Sequence, residues 1–178
     1  MTYAATVIAS PTGDLTLVAS DRGLAAVLWN DDASMQRRYA PRTVGRDHPV
    51  LVAATRQLAE YFAGTRTAFD LPLDPIGTDF QLAVWAALLA IPYGETRSYR
   101  DIAVAVGRPT ATRAVGAANG RNPLSIVTPC HRVIGAGGAL TGFGGGLPNK
   151  QLLLALERRV AGAALDQPDL FVAHAVAS

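Results

Sequence analysis

One cysteine, Cys130, stands in the run Pro129-Cys130-His131-Arg132-Val133-Ile134-Gly135, and it is the side chain here best suited to covalent chemistry. A thiol attacks as its thiolate, so it needs a neighbouring base or positive charge to shed its proton. His131 and Arg132 follow at once, and Pro129 fixes the backbone before them. On extended backbone, successive side chains point to opposite faces. His131 then reaches the thiol only through a bend or a bridging water. Two readings stand together: a buried structural cysteine, the usual fate of a lone one, or a nucleophile served by its own histidine. A single cysteine excludes an intrachain disulfide and a multi-cysteine zinc site.

Glu157 lies near the end of a helical pattern over Pro148–Arg159. A carboxylate there opposes the helix dipole, which suggests a partner such as a histidine. The plainer reading pairs it with Arg158 or Arg159 in solvent. Between the thiol and this helix runs Gly135-Ala136-Gly137-Gly138-Ala139-Leu140-Thr141-Gly142-Phe143-Gly144-Gly145-Gly146-Leu147. No Lys-Ser/Thr follows the last glycine, so a P-loop is not formed. A closely approaching loop that offers Phe143 as a stacking face fits better.

The elements that must position these groups fall into two halves. Thr2–Ala9, Leu15–Ala19 and Leu24–Trp29 read as short strands joined by turn residues. Asp31–Asp47 reads as a loop or irregular helix, His48–Gly64 as a helix, and Phe69–Leu73 as a return to the sheet. Asp74-Pro75-Ile76-Gly77 breaks the chain, so we place domains at 1–76 and 77–165, with 166–178 as a tail. The second half is helical. Asp79–Leu89 puts Phe80, Val84, Trp85 and Leu88 on one face, and Ser98 caps Tyr99–Val106 with Asp101 three residues on. Gly107-Arg108-Pro109-Thr110 turns the chain into a third helix, Ala111–Asn119. Two short helices around such a turn form a helix-turn-helix pattern.

Composition sets the outer bounds. The 178 residues are 49% hydrophobic and 17% charged, which supports a folded core and excludes wholesale disorder. No apolar run approaches the roughly 18 residues of a membrane span, and Met1–Ser10 lacks the pattern of a signal peptide, so a soluble cytoplasmic protein is expected. The net charge of +2 is unevenly spread: residues 1–90 hold seven Arg against nine acids. In Thr96–Arg132, Arg97, Arg100, Arg108, Arg113, Arg121 and Arg132 face only Asp101. Such a segment suits an anionic partner or an ordinary solvated face.

The run Pro129–Gly135 resembles the active-site motif of the O6-alkylguanine-DNA alkyltransferases, the methylated-DNA–protein-cysteine methyltransferases. Gly77-Thr78-Asp79-Phe80-Gln81, Val84-Trp85, Ile91-Pro92-Tyr93-Gly94-Glu95-Thr96, Arg113-Ala114-Val115-Gly116 and Leu140-Thr141-Gly142 through Gly146-Leu147 resemble further family segments in the same order. The Pro11-Gly13 turn and Tyr61-Phe62-Ala63-Gly64 extend the likeness into the first half. It implies an α+β fold: an N-terminal α/β domain resembling ribonuclease H, then a helical domain with a winged-helix-like helix-turn-helix. It implies a single-use transfer of the alkyl group from O6-alkylguanine, or less well O4-alkylthymine, to Cys130 after base flipping, with no cofactor and no metal.

By the same resemblance, His131 deprotonates Cys130 through water, Glu157 orients His131, Asn122 braces the turn, and Tyr99 assists the leaving oxygen. Arg113 enters the duplex, with Arg100, Arg121 and Arg132 as further DNA contacts. Phe143, Gly144, Gly145 and Val133 bound the substrate base. The implied partner is double-stranded DNA, met by a monomer that can assemble cooperatively on it. Thr128 and Phe143 depart from the family's usual Ile/Val and Tyr, and Gly144 is expected to admit larger O6 substituents. A lesion-binding relative lacking the nucleophile and a helix-turn-helix transcription factor are the rival readings; Cys130 argues against the first.

Overall fold

The computed structural model describes residues 3–30, 32–40 and 42–165; the tail assigned to 166–178 lies outside the described residues. Strands β1 (Tyr3–Ile8), β2 (Leu15–Ser20) and β3 (Gly23–Trp29) form an antiparallel meander. The polar stretch expected as a loop holds a short helix, α1 (Ala33–Arg38), and a strand, β4 (Arg42–Val44). Asp32 makes the helix possible by accepting the Met35 N–H at 3.1 Å, an N-cap. β4 pairs parallel with β1, giving the sheet order β3-β2-β1-β4.

Side chains alternate across this sheet with the two-residue period of a strand. Leu15, Leu17, Ala19, Val27 and Trp29 face helix α2 (Pro49–Phe62), while Val18, Ala25 and Leu28 pack with Tyr3 and Tyr39 on the other side. Helix α2 answers with Leu51, Ala54, Leu58 and Tyr61, a buried stripe at helical spacing. The expected return of Phe69–Leu73 to the sheet is reduced to one bridge, Leu24 to Leu73.

The helical half begins with α3 (Asp79–Leu89), whose Thr78 and Gln81 form a complete capping box. A two-residue strand, β5 (Arg97–Ser98), leads into α4 (Tyr99–Ala105), again boxed by Ser98 and Asp101. Gly107, with φ of 71°, supplies the left-handed residue that ends α4. Helix α5 (Thr112–Gly120) completes the helix-turn-helix and fixes itself to α3 by the Trp85 indole donating to the Ala118 carbonyl at 2.9 Å. Strand β6 (Val133–Ile134) pairs parallel with β5, so the strand leading into α4 lies beside the residues three and four after the thiol. The last helix, α6, spans Leu147–Leu165, longer than the sequence pattern suggested.

The two halves share a core. Leu124, Ile126 and Val127 from the loop before the thiol, and Leu153 and Leu156 of α6, pack with the N-terminal sheet and α2. The Val27 N–H also donates to the Pro123 carbonyl at 2.8 Å, which covers part of the outer edge of β3.

Candidate active site

The segment that carries the thiol leaves α5 as a chain of tight turns. Asn122 organises it: Nδ2 donates to the Thr128 carbonyl at 2.8 Å, and Oδ1 accepts the Leu124 N–H at 3.0 Å. Within this brace Ile126 has φ of 72°, a region β-branched residues rarely enter. Its side chain is fully enclosed by the shared core, which holds the strained turn in place.

Cys130, His131 and Arg132 form one 3-10 turn, a bend of the kind that extended backbone would lack. In such a turn successive side chains fan around the axis instead of alternating. His131 and Arg132 can therefore meet the same partner. That partner is Glu157, which lies in mid-helix on α6 and is wholly buried, so the solvent-facing reading and the helix-end position both fail. Its Oε1 meets His131 Nε2 at 2.8 Å and accepts from the Tyr61 hydroxyl at 2.8 Å and Arg132 NH2 at 2.9 Å. Its Oε2 accepts from Arg132 Nε at 2.8 Å and the Gly94 N–H at 3.2 Å.

These donors decide the protonation states. Burial alone would raise the Glu157 carboxyl, but the hydrogen bonds from His131 and Arg132 and the Arg132 charge outweigh it and hold the group at about 2. Glu157 is thus an ionised acceptor, and His131 must carry its proton on Nε2. Burial lowers the His131 pKa against the pull of Glu157, leaving the ring neutral. Its Nδ1 is then an acceptor, buried and without a hydrogen-bond partner among the described residues. The Cys130 thiol is raised by burial, with Asn122 and the Lys150 charge opposing. A protonated thiol and a neutral histidine with a free lone pair are thus consecutive in one buried turn, the charge states in which a base can take a thiol's proton.

Lys150 is wholly buried on α6 and donates from Nζ to the Val133 carbonyl at 2.6 Å and the Thr141 carbonyl at 2.9 Å. It ties the glycine-rich loop to the residues that follow the thiol. The Thr141 hydroxyl donates to the Tyr99 hydroxyl at 3.2 Å, bringing the start of α4 to the same loop. Phe143 is half-buried and not an open face: its ring sits edge-on to Trp29 at 5.7 Å and to His131 at 6.5 Å. Gly145 lies so close to Trp29 that an added Cβ would come within 2.5 Å of the indole, whereas one on Gly144 would sit at 3.8 Å. Val133 is buried in β6.

The arginines separate into two kinds. Arg100, Arg113 and Arg121 are exposed on α4, on α5 and just past α5. Arg132 is not. It is buried, its guanidinium forked onto Glu157, its NH1 donating to the Ile91 carbonyl at 2.7 Å, and its plane 5.4 Å from the Tyr93 ring. The DNA contact expected of it is corrected, because the 3-10 turn points it inward.

A small cavity of about 20 Å³ opens on Cys130, walled by Trp29, Asn119, Asn122, Ser125 and Gly144. A larger cleft of about 270 Å³, lined by Phe69, Tyr93, Pro129 and Arg132, lies behind the turn and does not include the thiol.

Comparison with known families places this geometry. The ribonuclease-like domain of 6-O-methylguanine DNA methyltransferase matches residues 3–75, and the DNA-binding domain of the same family matches residues 79–159. The chain belongs to the 6-O-methylguanine DNA methyltransferase family. A methylated-DNA–protein-cysteine methyltransferase of Mycolicibacterium paratuberculosis is 54% identical over 158 residues, 88% of this chain and 93% of that one. The constitutive one of Bacillus subtilis is 48% identical over 155 residues, covering 86% and 94%. Among solved structures, Mycobacterium tuberculosis OGT in complex with DNA superposes with a TM-score of 0.79 at 49% identity, over 90% of this chain and 94% of that one.

Several groups of this 6-O-methylguanine DNA methyltransferase family member escaped the sequence reading. Tyr61 and Trp29 act across the two halves, and Arg132 meets Glu157 inside the helical half, at separations no local pattern reveals. Lys150 was legible: Lys150, Leu153, Leu154 and Glu157 recur at helical spacing, so the chain's single lysine had to share the buried face of α6.

Proposed function

We propose that this protein repairs DNA by moving the alkyl group of O6-alkylguanine, and less readily O4-alkylthymine, onto its own Cys130 in one irreversible turnover. The observation that carries the reading is the buried Cys130-His131-Glu157 arrangement, with an ionised Glu157 and an unpartnered His131 Nδ1. His131 takes the thiol proton, directly or through water. The sulfur lone pair then forms the S–C bond as the C–O6 bond breaks, and O6 leaves with that electron pair. Tyr99, at the start of α4, supplies a proton to the departing base. Thioether formation consumes the nucleophile, which is why each molecule acts once.

The target oxygen lies within the base stack, so the nucleotide must be extruded, at a cost of about a few kcal/mol. Arg113, exposed on α5, fills the gap, while Arg100 and Arg121 hold phosphates. Phe143, Gly144, Gly145 and Val133 bound the flipped base. The functional unit is a monomer on duplex DNA, with residues 1–76 and 77–165 as its two domains. A reducing cytoplasm suits a protein whose action depends on one free thiol.

The test uses DNA carrying one O6-methylguanine and intact-protein mass spectrometry. Native protein gains one methyl group per molecule and no more. Cys130→Ser gains none and still binds the DNA within a few-fold, because an unactivated hydroxyl is a poor nucleophile at neutral pH. Methylation of the serine variant would refute the assignment.

A further inference from the structure

Trp29 of the N-terminal sheet reaches the thiol site, and the reaction above gives it no role. It ends β3 and is only 5% exposed. Its indole N–H donates to the Ser125 hydroxyl at 3.1 Å, which ties the ring to the turn that Asn122 braces before Cys130. The opposite contact is with the glycine-rich loop. A Cβ on Gly145 would come within 2.5 Å of the indole, and Phe143 meets the ring edge-on at 5.7 Å. The indole is thus wedged between the thiol-bearing turn and the substrate loop, its orientation fixed by a hydrogen bond as well as by packing.

Trp29, Ser125, Gly144 and Cys130 share the cavity of about 20 Å³, which has room for one group the size of a water molecule. A methyl is such a group. In an in-line displacement the sulfur, the attacked carbon and O6 are collinear, so whatever else that carbon carries projects sideways beside the sulfur. The cleft of about 270 Å³ does not include Cys130 and offers it no space. The sequence suggests room at Gly144, but a Cβ there would stand 3.8 Å from the indole, so that room ends at Trp29. Asp32 and Asn119 also line the cavity, and Asn119 Oδ1 is buried with no hydrogen-bond partner among the described residues. Hydrocarbon pressed against such polar groups costs free energy.

The geometry points to Trp29 as a specificity-determining residue of the N-terminal half, the wall that limits the transferred group to methyl or little more. The inference rests on the alkyl-transfer reading above. Gly144 and Gly145 clear one side of the site, and the indole fills the clearance from the other half of the chain. A close-packed wall yields only by moving its neighbours. This one is pinned at Ser125 and pressed by Gly145, so a butyl or benzyl group must displace the loop or the ring to bring its carbon to the sulfur.

Single-turnover transfer from one duplex carrying O6-methylguanine, O6-butylguanine or O6-benzylguanine at the same position tests this. The intrinsic reactivity of each group cancels when native protein and variant are compared on the same set. In Trp29→Leu the butyl-to-methyl and benzyl-to-methyl rate ratios should both rise by at least about tenfold over native, the lower end of what a pocket gains or loses for one methylene. Should the leucine variant not fold, Trp29→Phe, which keeps an aromatic ring in the core, is read in its place and should move both ratios upward. A merely structural tryptophan would slow all three reactions together and leave the ratios unchanged, which would overturn the proposal. A fall in the benzyl-to-methyl ratio would overturn it too, since the indole would then be a face on which large groups stack. Absence of transfer of all three groups by native protein would overturn the alkyl-transfer reading itself.

Discussion

His131 and Glu157 both have folded-state pKa values below their ordinary ones, and this sets how the protein responds to acid. For either group the unfolded chain binds protons more readily than the native one, so stability is present at high pH and lost on acidification. The His131 contribution starts to fade below its ordinary value of 6.5. That of Glu157 fades from 4.5 down towards about 2. The thermal midpoint should therefore fall progressively as pH drops below 6.5, first through His131 and then more steeply through Glu157. Since His131 acts as a neutral base, the acid limb of the single-turnover rate should lie below 6.5. A half-maximal rate at or above that pH would contradict the burial of His131.

Arg132 and Arg113 make a paired test at the same scale. Arg132→Lys cannot reproduce a fork on Glu157. It should destabilise the fold by about 2 to 4 kcal/mol, somewhat less than outright loss of a buried ion pair, and should slow transfer. Its DNA affinity should keep the native salt dependence, because Arg132 meets no phosphate. Arg113→Ala should leave the melting temperature near native and slow repair of a duplex lesion, while sparing reaction with free O6-benzylguanine. Thermal melts, salt-dependent binding and single-turnover rates together decide both assignments.

Among the elements, the glycine-rich loop is the one whose conformation depends most on contacts outside itself. Lys150 holds it at Thr141, Tyr99 meets it through the Thr141 hydroxyl, and Trp29 presses on Gly145. Gly145→Ala should displace the loop or the indole and cost about 1 to 3 kcal/mol, the usual range for overpacking. Gly144→Ala has ordinary van der Waals room and should change stability by less than about 0.5 kcal/mol. Urea midpoints of the two variants check the contrast. Equal effects would mean that Trp29 does not abut the loop.

On the scale of the whole molecule, the two halves are welded by the relay as well as by apolar packing. Tyr61 of α2 donates to the carboxylate that orients His131, and Leu124, Ile126, Val127, Leu153 and Leu156 complete the core under the N-terminal sheet. The protein should thus unfold as one cooperative unit. Its two tryptophans, Trp29 and Trp85, are buried one in each half. Fluorescence midpoints in urea of Trp29→Phe and Trp85→Phe, each compared with its own circular-dichroism midpoint, should coincide within each variant. A separate transition seen through Trp85 would show that the helical half melts independently.

Local physics was written plainly in the chain. The capping boxes at Thr78 and Ser98, the apolar stripe of α2, the turn at Gly107 and the alternation in the strands follow from side-chain chemistry within a few residues. The Cys130-His131 pair and the wider motif pattern pointed to nucleophilic chemistry before any fold was known. The inward turn of Arg132, the mid-helix burial of Glu157 and the orphaned oxygen of Asn119 were not legible there. The first two depend on partners far away in sequence: Glu157 is 96 residues from Tyr61, 26 from His131 and 25 from Arg132. Whether an arginine meets a phosphate or a buried carboxylate, and whether an amide oxygen finds a donor, is settled by which elements pack together. Sequence period sets which face of an element is apolar; only the assembled core decides which charges that face encloses.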